Sequence, residues 1–193
     1  MTTAIHVPPT WPASTRRRVL DAAIALFGQY SFAGTSLQMI ADDLALTKAA
    51  IYYHFRTRDD LLLALMAPIF TEIADVVDAA EKKKRVQVRT ETMLIGYAGI
   101  VVRHRALAAI TTFDPSVRAV LREQPDWSVL IDRQLALLAG ADRGEHGRLD
   151  ATIVLTGLAA AASAAPQDLD GERLRLHLID AGRRILGLPA ITR

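Results

Sequence analysis

The stretch TSLQMIADDLALTKAAIYYHFRTRDDLL, residues 35–62, decides the fold. Leu37, Ile40, Ala41 and Leu44 recur at helical spacing, and the phase then restarts at Leu46, Ile51 and Phe55. One core is therefore served by two short helices with a break of about three residues between them, the pattern of a helix-turn-helix. Each helix has its own start signal. Thr35 or Ser36 caps the first and Thr47 the second, the hydroxyl accepting from a backbone N–H two or three residues on.

The second helix needs only Ile51 and Phe55 inside, which leaves Thr47, Lys48, Ala49, Ala50, Tyr52, Tyr53 and His54 for outward use. Small Ala49 and Ala50 permit close approach to a base-pair edge, while the others supply donors where phosphates lie. A helix of this length spans about 12 Å, close to the width of a DNA major groove. Two residues also have a purely structural reading: Tyr52 packed against the following helix, and His54 as a neutral core histidine.

Gly34-Thr35-Ser36, Ile40-Ala41, Leu46-Thr47-Lys48, Ile51-Tyr52-Tyr53-His54-Phe55 and Arg58-Asp59-Asp60-Leu61-Leu62 together resemble the tetracycline-repressor (TetR) family of bacterial regulators. Ala45 and Ala49 stand where that family commonly has glycine, so the turn is made without glycine's left-handed tolerance. Arg56 replaces a residue that is often proline and becomes an additional phosphate candidate. The resemblance implies a DNA-binding transcriptional regulator, a repressor released by a small-molecule effector. It also implies a homodimer on a near-palindromic double-stranded operator, with recognition helices about 34–36 Å apart.

Composition bounds the alternatives. A chain of 193 residues that is 51% hydrophobic can bury a substantial core. No run reaches the roughly 20 apolar residues of a membrane span, and the N-terminus shows no secretory pattern. Without cysteine there is no disulfide or thiol chemistry, in keeping with a cytoplasmic protein. The five histidines have no metal-ligand spacing, and no nucleophile-elbow, phosphate-loop or dinucleotide pattern occurs, so no enzyme, metal or cofactor is expected. Net charge is only +2, and residues 14–65 hold six Lys+Arg against five Asp+Glu. Bulk charge therefore gives no support for DNA binding, and the case rests on placement: Arg16, Arg17 and Arg18 on one helix, Lys48, Arg56 and Arg58 around another.

The expected fold is all-α, with about nine helices. Residues 1–13, with Pro8, Pro9 and Pro12, form an N-terminal arm. Residues 14–57 form a three-helix helix-turn-helix domain, whose first helix is capped by Ser14 or Thr15, buries Leu20, Ala23, Ile24 and Phe27, and ends between Gly28 and Tyr30. Residues 58–193 form a larger effector-binding and dimerisation domain. It opens with a long helix carrying Asp59 and Asp60 in its first turn, favourable against the macrodipole, and stops at the polar run Glu81–Arg85. Later segments are expected over Thr90–His104, Ala106–Phe113, Asp114–Glu123, Pro125–Gly140, Asp150–Ala165 and Asp168–Leu188.

Candidate DNA contacts are Ser36, Gln38, Thr47, Lys48, Ala49, Ala50, Tyr52, Tyr53, His54 and Arg58. Gln38 and Lys48 suit base edges, since Gln pairs with adenine and Lys with guanine; Thr47, Tyr52, Tyr53, His54 and Arg58 suit phosphate. Met66, Phe70, Met93, Tyr97, Ile100, His104, Phe113, Trp127, Leu130 and Gln134 fit a cavity for a small apolar or amphipathic effector, although such residues also make ordinary core. Arg103 and Arg133 suit an anion or a surface ion pair. The small-residue faces of the last two helices, Gly157, Ala160, Ala161, Leu174, Leu178, Gly182 and Ile185, suit a two-fold four-helix dimer interface. The competing class is a helical small-molecule-binding or partner-binding bundle with no DNA role.

Overall fold

The computed structural model describes residues 13–140, 144–166 and 168–189. Among them the chain is all-helical: α1 (Ala13–Gly34), α2 (Leu37–Asp43), α3 (Lys48–His54), α4 (Arg58–Glu81), α5 (Val86–Arg103), α6 (Arg105–Phe113), α7 (Pro115–Arg122), α8 (Pro125–Ala139), α9 (Glu145–Ala164) and α10 (Gly171–Ile185). The helices number ten against about nine expected; the short segment expected over Ala106–Phe113 is α6, set off from α5 by a bend of 99°. No single helix among the described residues is long and apolar enough to cross a membrane.

The first three helices form the head. The Ser36 hydroxyl accepts from the Met39 N–H at 3.1 Å and that of Thr47 from the Ala50 N–H at 3.2 Å, so both short helices are capped from within the motif. Thr35 serves elsewhere, since it is buried and its hydroxyl donates to the carbonyls of Leu26 and Ser31. Ile40, Ala41, Ile51 and Phe55 close the core against Val19, Ala23 and Phe27. Leu20 and Ile24, expected inside, are half-buried.

The first helix differs from expectation at both ends. It already runs at Ala13, so Ser14 and Thr15 lie within it, and the proposed arm, residues 1–12 in particular, lies outside the described residues. At the other end it continues past Gly28, where a Cβ would meet open space, to Gly34. The real interruption is Ser31, at φ 64 and ψ 165, a region that is close to glycine-only. This break turns Phe32 inward, edge-on to Phe27 at 5.2 Å between ring centroids.

The turn between α2 and α3 is made by Ala45 at φ 52, as the missing glycine required. A side chain there is strained, so Ala45→Gly is expected to stabilise the protein by about 0.5–1 kcal/mol and raise the unfolding temperature by roughly 1–4 °C. Calorimetry checks this; a fall in the midpoint would show that the turn gains nothing from glycine.

From the head, α4 runs through the second domain behind a full capping box of Thr57 and Asp60. It buries Leu62, Met66, Ile69, Ile73 and Val77 against α5 and α8. The fifth and ninth helices begin four or five residues earlier than expected, at Val86 and Glu145, because valine and the 144–149 stretch continue the helix without a cap signal.

Candidate functional site

Lys48, Ala49, Tyr52 and Tyr53 form the exposed face of α3, and Ala50 and His54 are half-buried on its flanks. Tyr53 is 60% exposed and Tyr52 43% exposed. The Lys48 ammonium sits 5.4 Å from the centre of the Tyr52 ring, so Tyr52 holds a cation in place instead of packing wholly on α4. His54 meets the Tyr53 ring edge-on at 5.1 Å. Rigid caps at Ser36 and Thr47, an inward Ile51 and outward donors make a surface that can enter a groove without reorganising. Gln38 is exposed on α2, its amide donating to Asp42 at 2.7 Å. Ser36 and Thr47 spend their hydroxyls on capping.

Arg58 does different work from that expected of a phosphate ligand. Its guanidinium donates to the carbonyls of Ala33 at 2.7 Å and Thr35 at 3.0 Å, and lies over the Phe32 ring at 4.5 Å. The first residue of α4 thus ties down the end of α1 and the start of α2. Ala33 lies in the last turn of α1 and Thr35 between the helices, where carbonyls have no helical N–H, and the guanidinium donates to both.

A second joint crosses between the domains. The break at Ser31 leaves the Phe32 N–H without a helical partner, and it donates to Asp114 Oδ2 at 2.8 Å. The other oxygen of Asp114 caps α7, accepting from the Ser116 N–H at 2.9 Å. Partial burial pushes the Asp114 carboxyl up, but the backbone donors Phe32, Ser116 and Val117 together outweigh it and hold the group below the usual carboxylate range. One carboxylate therefore caps a helix start in the head and another in the second domain.

Between α4, α5, α6, α7, α8 and α9 lies a cavity of ≈ 370 Å³. Of the residues expected to line it, Met66, Tyr97, Ile100, His104, Trp127 and Gln134 do. The remaining four do not: Met93 is fully buried in the core, Leu130 packs there too, Phe70 stacks on Trp127 at 4.5 Å, and Phe113 is 65% exposed at the end of α6. Sequence periodicity missed Thr111, Arg118 and Arg122, because the short α6 and α7 turn toward the cavity through bends that spacing along one helix does not show. Tyr97 donates its hydroxyl to the Leu155 carbonyl, and burial drives its phenol far up.

Both arginines suggested for an anion are engaged. Arg103 pairs with Glu72 at 2.5 Å, and Arg133 with Asp78 and Glu81 at 2.7 Å each. Glu72 also contacts His104 Nε2 at 2.9 Å, so a residue of the cavity wall is joined to the helix that carries the head. The Arg103 hydrogen bond, aided by His104, holds the Glu72 carboxyl below its ordinary value.

The last two helices divide their residues differently from the sequence expectation. Leu174, Leu178 and Gly182 face their own chain, and a Cβ on Gly182 would come within 2.5 Å of Leu94. Gly157, Ala161 and Ile185 are exposed and Ala160 is half-buried. Leu149, Ile153 and Leu176, each just over half exposed, join them on the outer surface. The heptad-like pattern of α10 marked the intrachain core, and the outer face was the less regular one.

Residues 19–65 match the family described as bacterial regulatory proteins, tetR family. An HTH-type transcriptional regulator, AcrR of Shigella flexneri, is 45% identical over 47 residues, 24% of this chain and 22% of that protein. A probable acrEF/envCD operon repressor of Escherichia coli K12 is 32% identical over 101 residues, 50% of this chain and 46% of that protein. The chain thus spans less than half the length of these curated relatives. A bacterial regulatory protein in the tetR family from Rhodococcus RHA1 shares the fold at TM-score 0.68 and 16% identity, over 93% of this chain and all of that one. Residues 19–65 thus carry the signature of the tetR family of bacterial regulatory proteins, and the helices around them share the fold of solved tetR-family structures.

Proposed function

We propose that this protein is a sequence-specific DNA-binding transcriptional regulator that acts as a homodimer and leaves its operator when an effector fills the cavity. The observation that carries the reading is the exposed Lys48–Tyr53 face of α3 on a helix capped and buried on its other side. Lys48 is assigned to a base edge, with Tyr52 and Tyr53 on phosphates that set register. The exposed apolar residues Leu149, Ile153, Leu176 and Ile185 supply a self-complementary two-fold surface. A dimer of this kind places one recognition helix in each of two successive major grooves.

Two joints link cavity to head. His104 reaches α4 through Glu72, and α7, which lines the cavity with Leu121, reaches Phe32 through Asp114. An occupant that favours a different α7 position weakens operator binding by the same factor by which DNA weakens its own binding. Replacing Asp114 by alanine removes two caps at once and is expected to lower stability by roughly 1–3 kcal/mol in urea titration. Hydrogen exchange should rise at the Phe32 and Ser116 amides together; a rise at Ser116 alone would show that the joint does not reach the head. Because the carboxyl is depressed in the folded state, its contribution is present above the ordinary carboxylate range and lost as pH falls through the folded value.

The test of the function is retention of DNA flanking the protein's own gene over increasing salt. The expected result is specific binding whose logarithm falls linearly with log salt at a slope of roughly −4 or steeper. Absence of any salt-sensitive binding would leave a small-molecule-binding bundle as the better reading.

A further inference from the structure

Three polar groups of the cavity are unlike the rest of its wall. Arg118 and Arg122, one turn apart on α7, both line it. Neither forms an ion pair among the described residues; Arg118 has only a 3.5 Å contact to the Thr112 carbonyl. This sets them apart from Arg103 and Arg133, whose charges are already met by carboxylates. On α8, which also lines the cavity, Gln134 is completely buried. Its amide nitrogen donates back to the Leu130 carbonyl at 3.3 Å, which fixes the oxygen away from that carbonyl. That oxygen has no donor, an arrangement that costs free energy unless an occupant supplies one. Between these polar points the wall is mostly apolar, with Leu121, Trp127 and Ile100, and the hydroxyls of Tyr97, Thr111, Thr152 and Thr156 already donate to backbone carbonyls.

Resting on the reading of this cavity as the effector site, we propose that its ligand is a hydroxylated amphipathic carboxylate. The carboxylate lies at the mouth between Arg118 and Arg122, where guanidinium forks match its two oxygens. The apolar body fills the interior, and a hydroxyl along it donates to the Gln134 oxygen. A cavity of ≈ 370 Å³ lies at the small end of small-molecule sites, roughly 300–1,000 Å³, and suits an acid of about ten carbons. The anion sets orientation, and the buried acceptor selects hydroxylated ligands over plain ones.

The test is calorimetric titration of the full chain with decanoate, a series of monohydroxydecanoates differing in hydroxyl position, and neutral decane-1,10-diol. At least one hydroxydecanoate is expected to bind about fivefold or more tighter than decanoate, and the diol about tenfold more weakly than that isomer. The double variant Arg118→Gln/Arg122→Gln, at exposed positions, should weaken the acids about tenfold and leave the diol unchanged. Gln134→Leu, and Gln134→Met should the first not fold, should erase the advantage of the hydroxyl and keep decanoate affinity. The proposal is overturned if the diol binds as tightly as the acids, or if no hydroxy isomer surpasses decanoate. Failure of every compound, charged and neutral, overturns the cavity reading along with it.

Discussion

The double substitution Lys48→Ala/Tyr53→Ala is expected to weaken operator binding by ~100-fold or more while leaving thermal unfolding within about 2 °C of the parent. The reasoning starts from exposure. Both side chains lie on the outer face of α3, Tyr53 60% exposed, and neither contributes to the core formed by Ile51 and Phe55. Alanine is also the best helix former, so the substitutions do not weaken the helix. In the proposed two-fold complex each loss is counted twice. At ~1 kcal/mol or more per contact, four lost contacts exceed the roughly 2.7 kcal/mol of a hundredfold change. The slope of log affinity against log salt should become shallower by roughly 2, since two lysine–phosphate or lysine–base charge contacts disappear per dimer. Fluorescence anisotropy with a DNA fragment the parent retains measures both. Unfolding of the variant, or undiminished binding, would remove α3 from the interface.

What the sequence revealed about this head was its local chemistry. Hydroxyls at Ser36 and Thr47 cap helices whatever surrounds them, and the restart of phase at Leu46 is visible in one dimension. The structural partners of Arg58 are hidden from the sequence for the opposite reason. Its partners, the carbonyls of Ala33 and Thr35, lie more than twenty residues away, where no local pattern connects them to Arg58. A phosphate-seeking arginine and a carbonyl-clamping arginine look the same in a sequence.

The same distinction runs through the second domain. Six of ten proposed cavity residues line the space, all of them on helices long enough for a 3.6-residue period to define one face or at the end of one. The polar end of the cavity escaped notice because α6 and α7 are 9 and 8 residues long, and the bends between short helices set which way they point. On α10 periodicity gave a true stripe with the wrong owner. Leu174 and Leu178 repeat regularly because they serve their own core, and an interface in water needs no such regularity.

Gly96→Ala is expected to destabilise the protein by about 2 kcal/mol, lowering the unfolding midpoint by roughly 4–8 °C, although alanine gains about 1 kcal/mol in helix propensity. Gly96 lies on α5 where α4 crosses it, and a Cβ there would stand 2.4 and 2.7 Å from the two methyl carbons of Val76 and 3.2 Å from its Cβ. Rotating Val76 exchanges one methyl for another and cannot clear the space, so the helices must separate. Gly182 offers the contrasting case: its nearest atom is the tip of Leu94, which has other rotamers. Adding Val76→Ala should restore stability to near the parent value, with a coupling of about 1 kcal/mol or more between the sites in a double-mutant cycle. In the proposed mechanism the crossing also bears on signalling, since α4 carries the head and α5 ends at the Arg103–His104 grip on Glu72. Forced apart at Val76, the two helices can no longer hold α4 in one position. The single variant should therefore lose operator affinity at temperatures well below its unfolding, and the Val76→Ala companion should return it. Additive effects in the cycle would mean that the helices do not meet at this pair.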